Sequence, residues 1–139
     1  MLDYLRKIII IQGVGDSGKT TSIKKAMQKL AIFEAAGGEL ADDLIATHAY
    51  CKGRFFSSGF ASGGDSDKVV RANIKFFKNL PLQLDIVVLA CKSYGGSTEA
   101  ALKFAKSHKI EPVIIETTKS EDFDKSADTV SDAIVRQFY

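Results

Sequence analysis

A run of four isoleucines at positions 8–11, followed at once by a glycine-rich segment, constrains the fold of this chain more than any other feature. Consecutive β-branched residues between charged residues and glycine are typical of a strand that is buried on both faces. After the glycines, apolar residues recur at helical spacing at Ile23, Ala26, Met27, Leu30 and Ala31. This spacing predicts a helix that starts at Lys19 and ends near 35–38, where two glycines would stop it. The sequence therefore predicts a strand, a glycine loop and a helix in direct succession.

The rest of the chain continues the alternation of strands and helices. Segments 44–50 and 54–61 predict a hairpin whose second arm joins the main sheet. The further predicted elements are a helix at 66–80, a strand at 84–91, a helix at 97–108 capped by Ser97, a strand at 113–115 and a helix at 128–138. With 139 residues, of which 45% are hydrophobic, the chain is expected to form a single domain over 1–139. The predicted fold class is α/β, a three-layer α/β/α sandwich whose mostly parallel sheet includes one antiparallel hairpin strand.

The glycine-rich segment at 13–20 matches the pattern G-x-x-x-x-G-K-[ST], in which each position has a physical task. The glycines let the backbone turn and bring its N–H groups against phosphate oxygens, and the dipole of the following helix points at the same anion. We expect Lys19 to reach the β- and γ-phosphates, and the Thr20 hydroxyl to coordinate magnesium. The residues expected to bind the nucleotide are Gly13, Val14, Gly15, Asp16, Ser17, Gly18, Lys19, Thr20 and Thr21.

The chain resembles the P-loop NTPase superfamily through four residues on a predicted strand, loop and helix, which are Gly13, Gly18, Lys19 and Thr20. The resemblance implies that the chain binds a nucleoside triphosphate together with Mg²⁺, and that Lys19 has a catalytic role. It also implies an acidic residue at the end of a neighbouring strand, which contacts the magnesium ion directly or orders water around it.

Asp65 is the candidate for this acidic residue, as a metal ligand and as a catalytic group. The chain is similar to small uncharacterised bacterial or phage P-loop proteins in two segments, the loop at 16–21 and the later Gly63, Gly64 and Asp65. Asp65 departs from the family pattern, because two glycines separate it from the preceding strand. An alternative is that Asp65 caps the helix at 66–80, and the two roles do not exclude each other.

The loop after the strand at 84–91 bears on the choice of nucleotide. Guanine-specific P-loop proteins carry Asn-Lys-x-Asp at such a position, and here only Lys92 fits that pattern. Without the aspartate the guanine edge loses its main partner, so ATP is the expected nucleotide. Tyr94 in the same loop is either a residue that stacks on a base or a half-exposed loop tyrosine.

Three functions are compatible with these features. The leading hypothesis is a slow ATP hydrolase in which a protein partner or a second subunit completes the site. The reason is that the sequence shows no evident residue to position the attacking water and no evident arginine finger. The second is a small-molecule or nucleotide kinase with Asp65 as base or metal ligand, although the arginines, at 6, 54, 71 and 136, are too scattered for a phosphate-clamping lid. The third is a non-catalytic switch in which the loops at 62–67 and 92–96 respond to the bound nucleotide.

Charge, cysteine spacing and the length of the apolar run argue against several other classes of protein. The formal net charge is +2, and Lys103, Lys106 and Lys109 form only a short basic face, so no nucleic-acid partner is expected. Cys51 and Cys91 lack the spacing of a metal site and are expected to be buried, reduced thiols. The apolar run at 8–11 is too short for a signal peptide or a membrane span, so a cytoplasmic protein without a membrane partner is expected.

Overall fold

A computed structural model of the chain describes residues 4–13, 19–36, 44–51, 54–64, 66–80, 83–117 and 123–138. Strands and helices alternate over most of this length. In chain order, the elements are β1 (Lys7–Gln12), α1 (Lys19–Lys29), β2 (Ala31–Ala36), β3 (Leu44–Cys51), β4 (Arg54–Ala61), α2 (Asp67–Lys78), β5 (Ile86–Cys91), α3 (Gly96–Ser107), β6 (Val113–Glu116) and α4 (Phe123–Arg136). No helix among these residues is long and apolar enough to cross a lipid bilayer.

One sheet contains all six strands, in the order β2-β3-β4-β5-β1-β6. Strands β4, β5, β1 and β6 are parallel to one another and form the core of the sheet. Strand β3 pairs antiparallel with β4, and β2 pairs antiparallel with β3. The isoleucine-rich strand β1 therefore lies inside the parallel part, between β5 and β6.

The core is divided between the two faces of the sheet. Ile8 and Ile10 pack on one face with α2 and α3, through residues that include Phe77 and Phe104. Ile9 and Ile11 pack on the other face with α1 and α4, through a set that contains Ile23 and Ile134. Successive side chains of a strand point to opposite faces, so a run of four isoleucines serves both layers. The predicted three-layer α/β/α sandwich is thereby confirmed.

The prediction of one antiparallel strand is wrong, because the sheet contains two, β2 and β3. The extra strand comes from a segment that had been assigned to the first helix. Helix α1 ends at Lys29, and the backbone of Ala31–Ala36 pairs with β3 instead of continuing the helix. Backbone pairing with a partner distant in sequence has here outweighed the helix propensity of the alanines.

Two helix starts also differ from the prediction. Helix α3 begins at Gly96, so Ser97 lies inside the helix and is not its N-cap; the N-cap position is held by Gly95, which provides no side-chain cap. Helix α4 begins at Phe123, five residues before the predicted start at Asp128. Local sequence signals place helix ends less well than helix centres, because caps depend on neighbouring loops.

Candidate phosphate-binding site

The carboxyl end of β1 lies at a switch point of the parallel sheet. The helix that follows β1, α1, packs on the face shared with α4, whereas the helix that follows the adjacent strand β5, α3, packs on the opposite face. The two connections diverge, and they leave a crevice outside the carboxyl ends of β1 and β5. Ligands of open α/β sheets bind in such crevices.

Hydrogen bonds to both neighbouring strands fix the backbone where β1 ends. The N–H of Gly13 donates to the carbonyl of Cys91 at 3.1 Å, and the N–H of Thr117 donates to the carbonyl of Gln12 at 2.8 Å. The Gln12 side chain reaches further, because its Nε2 donates to the carbonyl of Ser93 at 3.2 Å. The glycine-rich loop therefore leaves the sheet from an anchored base.

Lys19 is the first residue of α1 and turns back toward that base. Its side chain is buried, with 7% of the residue exposed, and its Nζ donates to the carbonyl of Gly13 at 2.8 Å. An ammonium group is costly to bury, so a lysine held here is a strong anion-binding group for anything enclosed by the loop. The structure brings Gly13 and Lys19, the two ends of the predicted phosphate loop, to one place.

The other predicted loop residues are only partly described. Val14, Gly15, Asp16, Ser17 and Gly18 lie outside the described residues. Thr20 and Thr21 are the second and third residues of α1, and for Thr20 the description is limited to its backbone. The strand and helix that the motif requires on either side of the loop are nevertheless in place.

The charge of Lys19 also acts on the end of β5. Cys91 is buried and free, as expected, whereas the Cys51 side chain lies outside the described residues. Burial raises the pKa of the Cys91 thiol, and a hydrogen bond with the Thr98 side chain and the positive charge of Lys19 partly oppose that rise. The thiol is therefore neutral at physiological pH, and no redox or metal chemistry is assigned to it.

The connection from β4 to α2 passes directly over the end of β5. A Cβ atom added to Gly64 would lie 2.2 Å from the carbonyl oxygen of Ala90 and 2.8 Å from the amide nitrogen of Cys91, so only glycine fits there. The Asn73 side chain, from α2, holds the same loop by donating to the carbonyl of Gly63 at 2.8 Å. The chain next to Asp65 is thus fixed against the strand whose end binds Gly13.

Asp65 itself lies outside the described residues, but its neighbours test one of its two predicted roles. The N-cap of α2 is Ser66, whose Oγ accepts a hydrogen bond from the N–H of Val69 at 3.2 Å. The alternative that Asp65 caps α2 is therefore wrong, since a helix has one N-cap residue. The metal-binding role remains a prediction.

The sheet order also places a second carboxylate beside the site, one that the sequence did not single out. Strand β5 lies between β4 and β1, so Asp65 does not follow a direct neighbour of β1. The direct neighbour β6 ends at Glu116, which is exposed and lies in register with Gln12. The sequence already places Glu116 directly after a predicted strand. Only the strand order shows that this strand lies beside β1.

The loop from β5 to α3 is held in place by two side chains from the first turn of the helix. The Ser97 Oγ accepts a hydrogen bond from the N–H of Lys92 at 3.0 Å, and the Thr98 hydroxyl donates to the carbonyl of Lys92. Gly95 has a φ of 91°, a conformation that favours glycine. Tyr94, between these anchors, is 76% exposed, which is more than the half-exposed loop tyrosine expected, and its stacking on a base stays a prediction.

Comparison of this chain with protein families, with curated proteins and with solved structures finds no match.

Proposed function

We propose that the chain binds a nucleoside triphosphate, ATP in the first place, and hydrolyses it slowly. The observation that carries the proposal is the G-x-x-x-x-G-K-T loop between the end of a central parallel strand and a helix, with the buried Lys19 ammonium 2.8 Å from the carbonyl of Gly13. In the proposed complex, the loop amides, the N-terminus of α1 and the Lys19 ammonium would bind one anion, an arrangement that stabilises charge on a β- or γ-phosphate.

The donor atoms near the site fit Mg²⁺, which prefers oxygen ligands and keeps part of its water shell. Thr20 would contribute a hydroxyl and Asp65 a carboxylate, and Gly64 holds the chain beside Asp65 against the end of β5. Glu116, in register with Gln12, offers a second carboxylate on the other side of β1. When bound, the ion neutralises negative charge on the transferred phosphate.

Slow turnover is expected from where three of the four arginines lie. Arg136, at the end of α4, donates through Nε to the carbonyl of Asp132 at 3.3 Å. Arg6 pairs with Asp85 at 3.9 Å, and both precede strands, so they lie at the end of the sheet away from the phosphate loop. Arg71 lies on α2, and its Nε is 2.6 Å from Asp67 Oδ1. A stabilising cation for the transition state would then come from a partner or a second subunit, as in other phosphoryl-transfer sites.

The test is calorimetric titration of ATP, GTP and ADP into the protein, with and without magnesium, followed by phosphate release on the same samples. Lys19→Ala should weaken ATP binding by about 100-fold, because a charge-assisted contact to phosphate is lost. Lys24→Ala, an exposed lysine on the same helix, is the matched control and should bind ATP normally. Equal affinity in wild type and Lys19→Ala would overturn the proposal.

The metal ligand can be identified with two further variants. Asp65→Asn should reduce the dependence of ATP affinity on magnesium, whereas Glu116→Gln tests the carboxylate that lies in register with Gln12. If only Glu116→Gln alters the magnesium profile, the predicted role of Asp65 is wrong and Glu116 replaces it. A screen of phosphate acceptors on the same samples separates the hydrolase from the kinase.

One observation favours the switch as a second candidate function. The β4–α2 and β5–α3 loops both lie beside the base of the phosphate loop, and they lead straight into α2 and α3, which abut where a Cβ added to Gly96 would lie 3.0 Å from the Cβ of Asp67. Under this function, hydrogen exchange at 62–66 and 92–96 should differ between the ATP-bound and ADP-bound protein while phosphate release stays undetectable. Identical exchange in the two states would exclude it.

A further inference from the structure

A groove runs between α2 and α3, on the side of the sheet away from α1. Its volume is about 560 Å³. Both helices line it with residues that recur every three or four positions and therefore share one face. The lining residues are Asp67, Arg71, Ile74 and Lys78 from α2, and Gly96, Glu99, Ala100, Lys103, Phe104 and Ser107 from α3. At 1.5 Å per residue, each row covers about 16 Å, which is three turns of a helix.

The groove has an apolar floor and a charged rim. Ile74 and Phe104 are 9% and 4% exposed, and Ala100 is half-buried beside them. On the rim, Arg71 and Asp67 form an ion pair within α2, which balances their charges. Lys78, Lys103 and Glu99 complete the rim, so it carries a net positive charge.

The two helices that form the groove are also the basic part of the chain. Together α2 and α3 contain six basic and two acidic residues, a net charge of +4, whereas the whole chain carries +2. Both acids are in the first turn of a helix, so the remaining length of each helix presents only basic charged residues. The sequence prediction of a basic face on α3 alone was therefore too narrow.

The charge and the floor restrict what could occupy the groove. A second copy of the chain would bring two surfaces of like charge together, since the groove lining carries a net charge of +1 and the two helices together carry +4, and like charges destabilise such an interface. A nucleic acid would use aromatic rings for stacking, but Phe104 is buried in the floor. An amphipathic helix with acidic flanks satisfies both the apolar floor and the basic rim.

We infer that the groove between α2 and α3 is a docking site for an acidic amphipathic helix of a partner protein. Apolar side chains of that helix would cover Ile74, Ala100 and Phe104, and its carboxylates would lie against Lys78 and Lys103. The groove lies on the face of the sheet opposite α1, and the inference does not depend on nucleotide binding.

The test uses a fluorescein-labelled synthetic peptide of about four helical turns, with leucines on one face and glutamates elsewhere, titrated with the full chain and followed by fluorescence anisotropy. Two matched peptides have lysine in place of glutamate, or serine in place of leucine. The acidic peptide should bind at least about ten-fold more tightly than either, and its affinity should fall as salt rises.

Charge-reversed proteins locate the binding site. Lys78→Glu/Lys103→Glu should weaken binding of the acidic peptide about ten-fold, because two attractive contacts become repulsive. Lys68→Glu/Lys106→Glu has the same net charge on the same helices but alters residues outside the groove, and it should change the affinity much less. Circular dichroism melts confirm that both proteins are folded.

Three outcomes would overturn the inference. One is an acidic peptide that binds no more tightly than the lysine or the serine peptide. Another is an equal loss of affinity in the two charge-reversed proteins, since binding would then follow net charge and not the groove. The third is displacement of the peptide by an equal concentration of a duplex DNA oligonucleotide, which would make a nucleic acid the occupant.

Discussion

The two helical layers of this protein are held in different ways. In the layer of α1 and α4, side-chain charges join the helices, with Lys29 Nζ 2.7 Å from Asp132 Oδ1 and Lys25 Nζ 3.3 Å from Asp128 Oδ1. In the layer of α2 and α3, the helices meet at Gly96, where an added Cβ would lie 3.0 Å from the Cβ of Asp67, and the connection to α2 is held against β5 at Gly64. Changes in salt and pH should therefore alter stability mainly through the first layer, whereas substitutions that add a Cβ atom should alter it mainly through the second.

The largest expected effect is that of Gly64→Ala in the second layer. Its new methyl group would lie 2.2 Å from a backbone oxygen of β5, which cannot move without disturbing the sheet. We expect a loss of about 3 kcal/mol in the free energy of unfolding, measured by urea denaturation. The matched control is Gly63→Ala, whose Cβ would meet only the Val69 side chain, at 3.3 Å. Equal losses in the two variants would contradict the close contact at Gly64.

A smaller effect is expected when Lys29 is changed in the first layer. Lys29 Nζ also donates to Ser131 Oγ at 2.6 Å, so Lys29→Met removes a small network while keeping the apolar stem. Because the Lys29 side chain is 34% exposed, we expect a loss of only about 1 kcal/mol in urea denaturation. Lys24→Met on the same helix leaves the contacts with Asp128 and Asp132 in place, so it is the matched control and should cost less stability than Lys29→Met. A loss that persists unchanged in 1 M salt would show that packing, and not charge, joins α1 to α4.

Variants at Ser66, the N-cap of α2, and at the neighbouring Asp65 should affect different properties, stability in the first case and metal binding in the second. Ser66→Ala removes the hydrogen bond to the N–H of Val69 and should cost about 1 kcal/mol in thermal or urea denaturation, without altering the magnesium dependence of ATP binding. Asp65→Asn should have the opposite pattern, with normal stability and an altered magnesium profile. A destabilised Asp65→Asn protein with a normal magnesium profile would return Asp65 to a structural role.

The smallest effect is the pH dependence of the ion pairs in the first layer. Hydrogen bonds and charges from Lys25, and then Lys29, lower the pKa of Asp128 below its ordinary 3.8, so its contribution is present above that value and is lost as the pH falls through the folded pKa. The pKa of Lys29 is raised above 10.5, chiefly by the hydrogen bond to Asp132, so its contribution is lost as the pH rises through the folded pKa. The difference in melting temperature between wild type and Asp128→Asn should therefore be largest near neutral pH and shrink at both extremes. A constant difference would mean that these charges do not join the layer.

Sequence reasoning predicted the parts of the site that depend on local pattern. The isoleucine strand and the start of α1 at Lys19 appear where they were expected, because both burial on two faces and the start of a helix after glycines are patterns of consecutive residues. The prediction of a helix over Ala31–Ala36 was wrong. The alanines are compatible with a helix, but the segment pairs with β3 as a strand. Likewise the cap at Ser97 failed, because its hydroxyl is engaged with Lys92 across the loop.

By itself the sequence determined the central strand β1, the start of α1 and the alternation of strands and helices that makes three layers, although it missed β2. The tertiary structure alone decided that β5 separates β4 from β1, that Glu116 lies in register with Gln12, and that α2 and α3 leave a basic groove. The physical reason is the separation in sequence over which each kind of interaction acts, because periodicity and turn chemistry involve residues that are neighbours in the chain. Strand order and grooves arise from contacts between residues far apart in sequence, whose pairing depends on how the whole core packs.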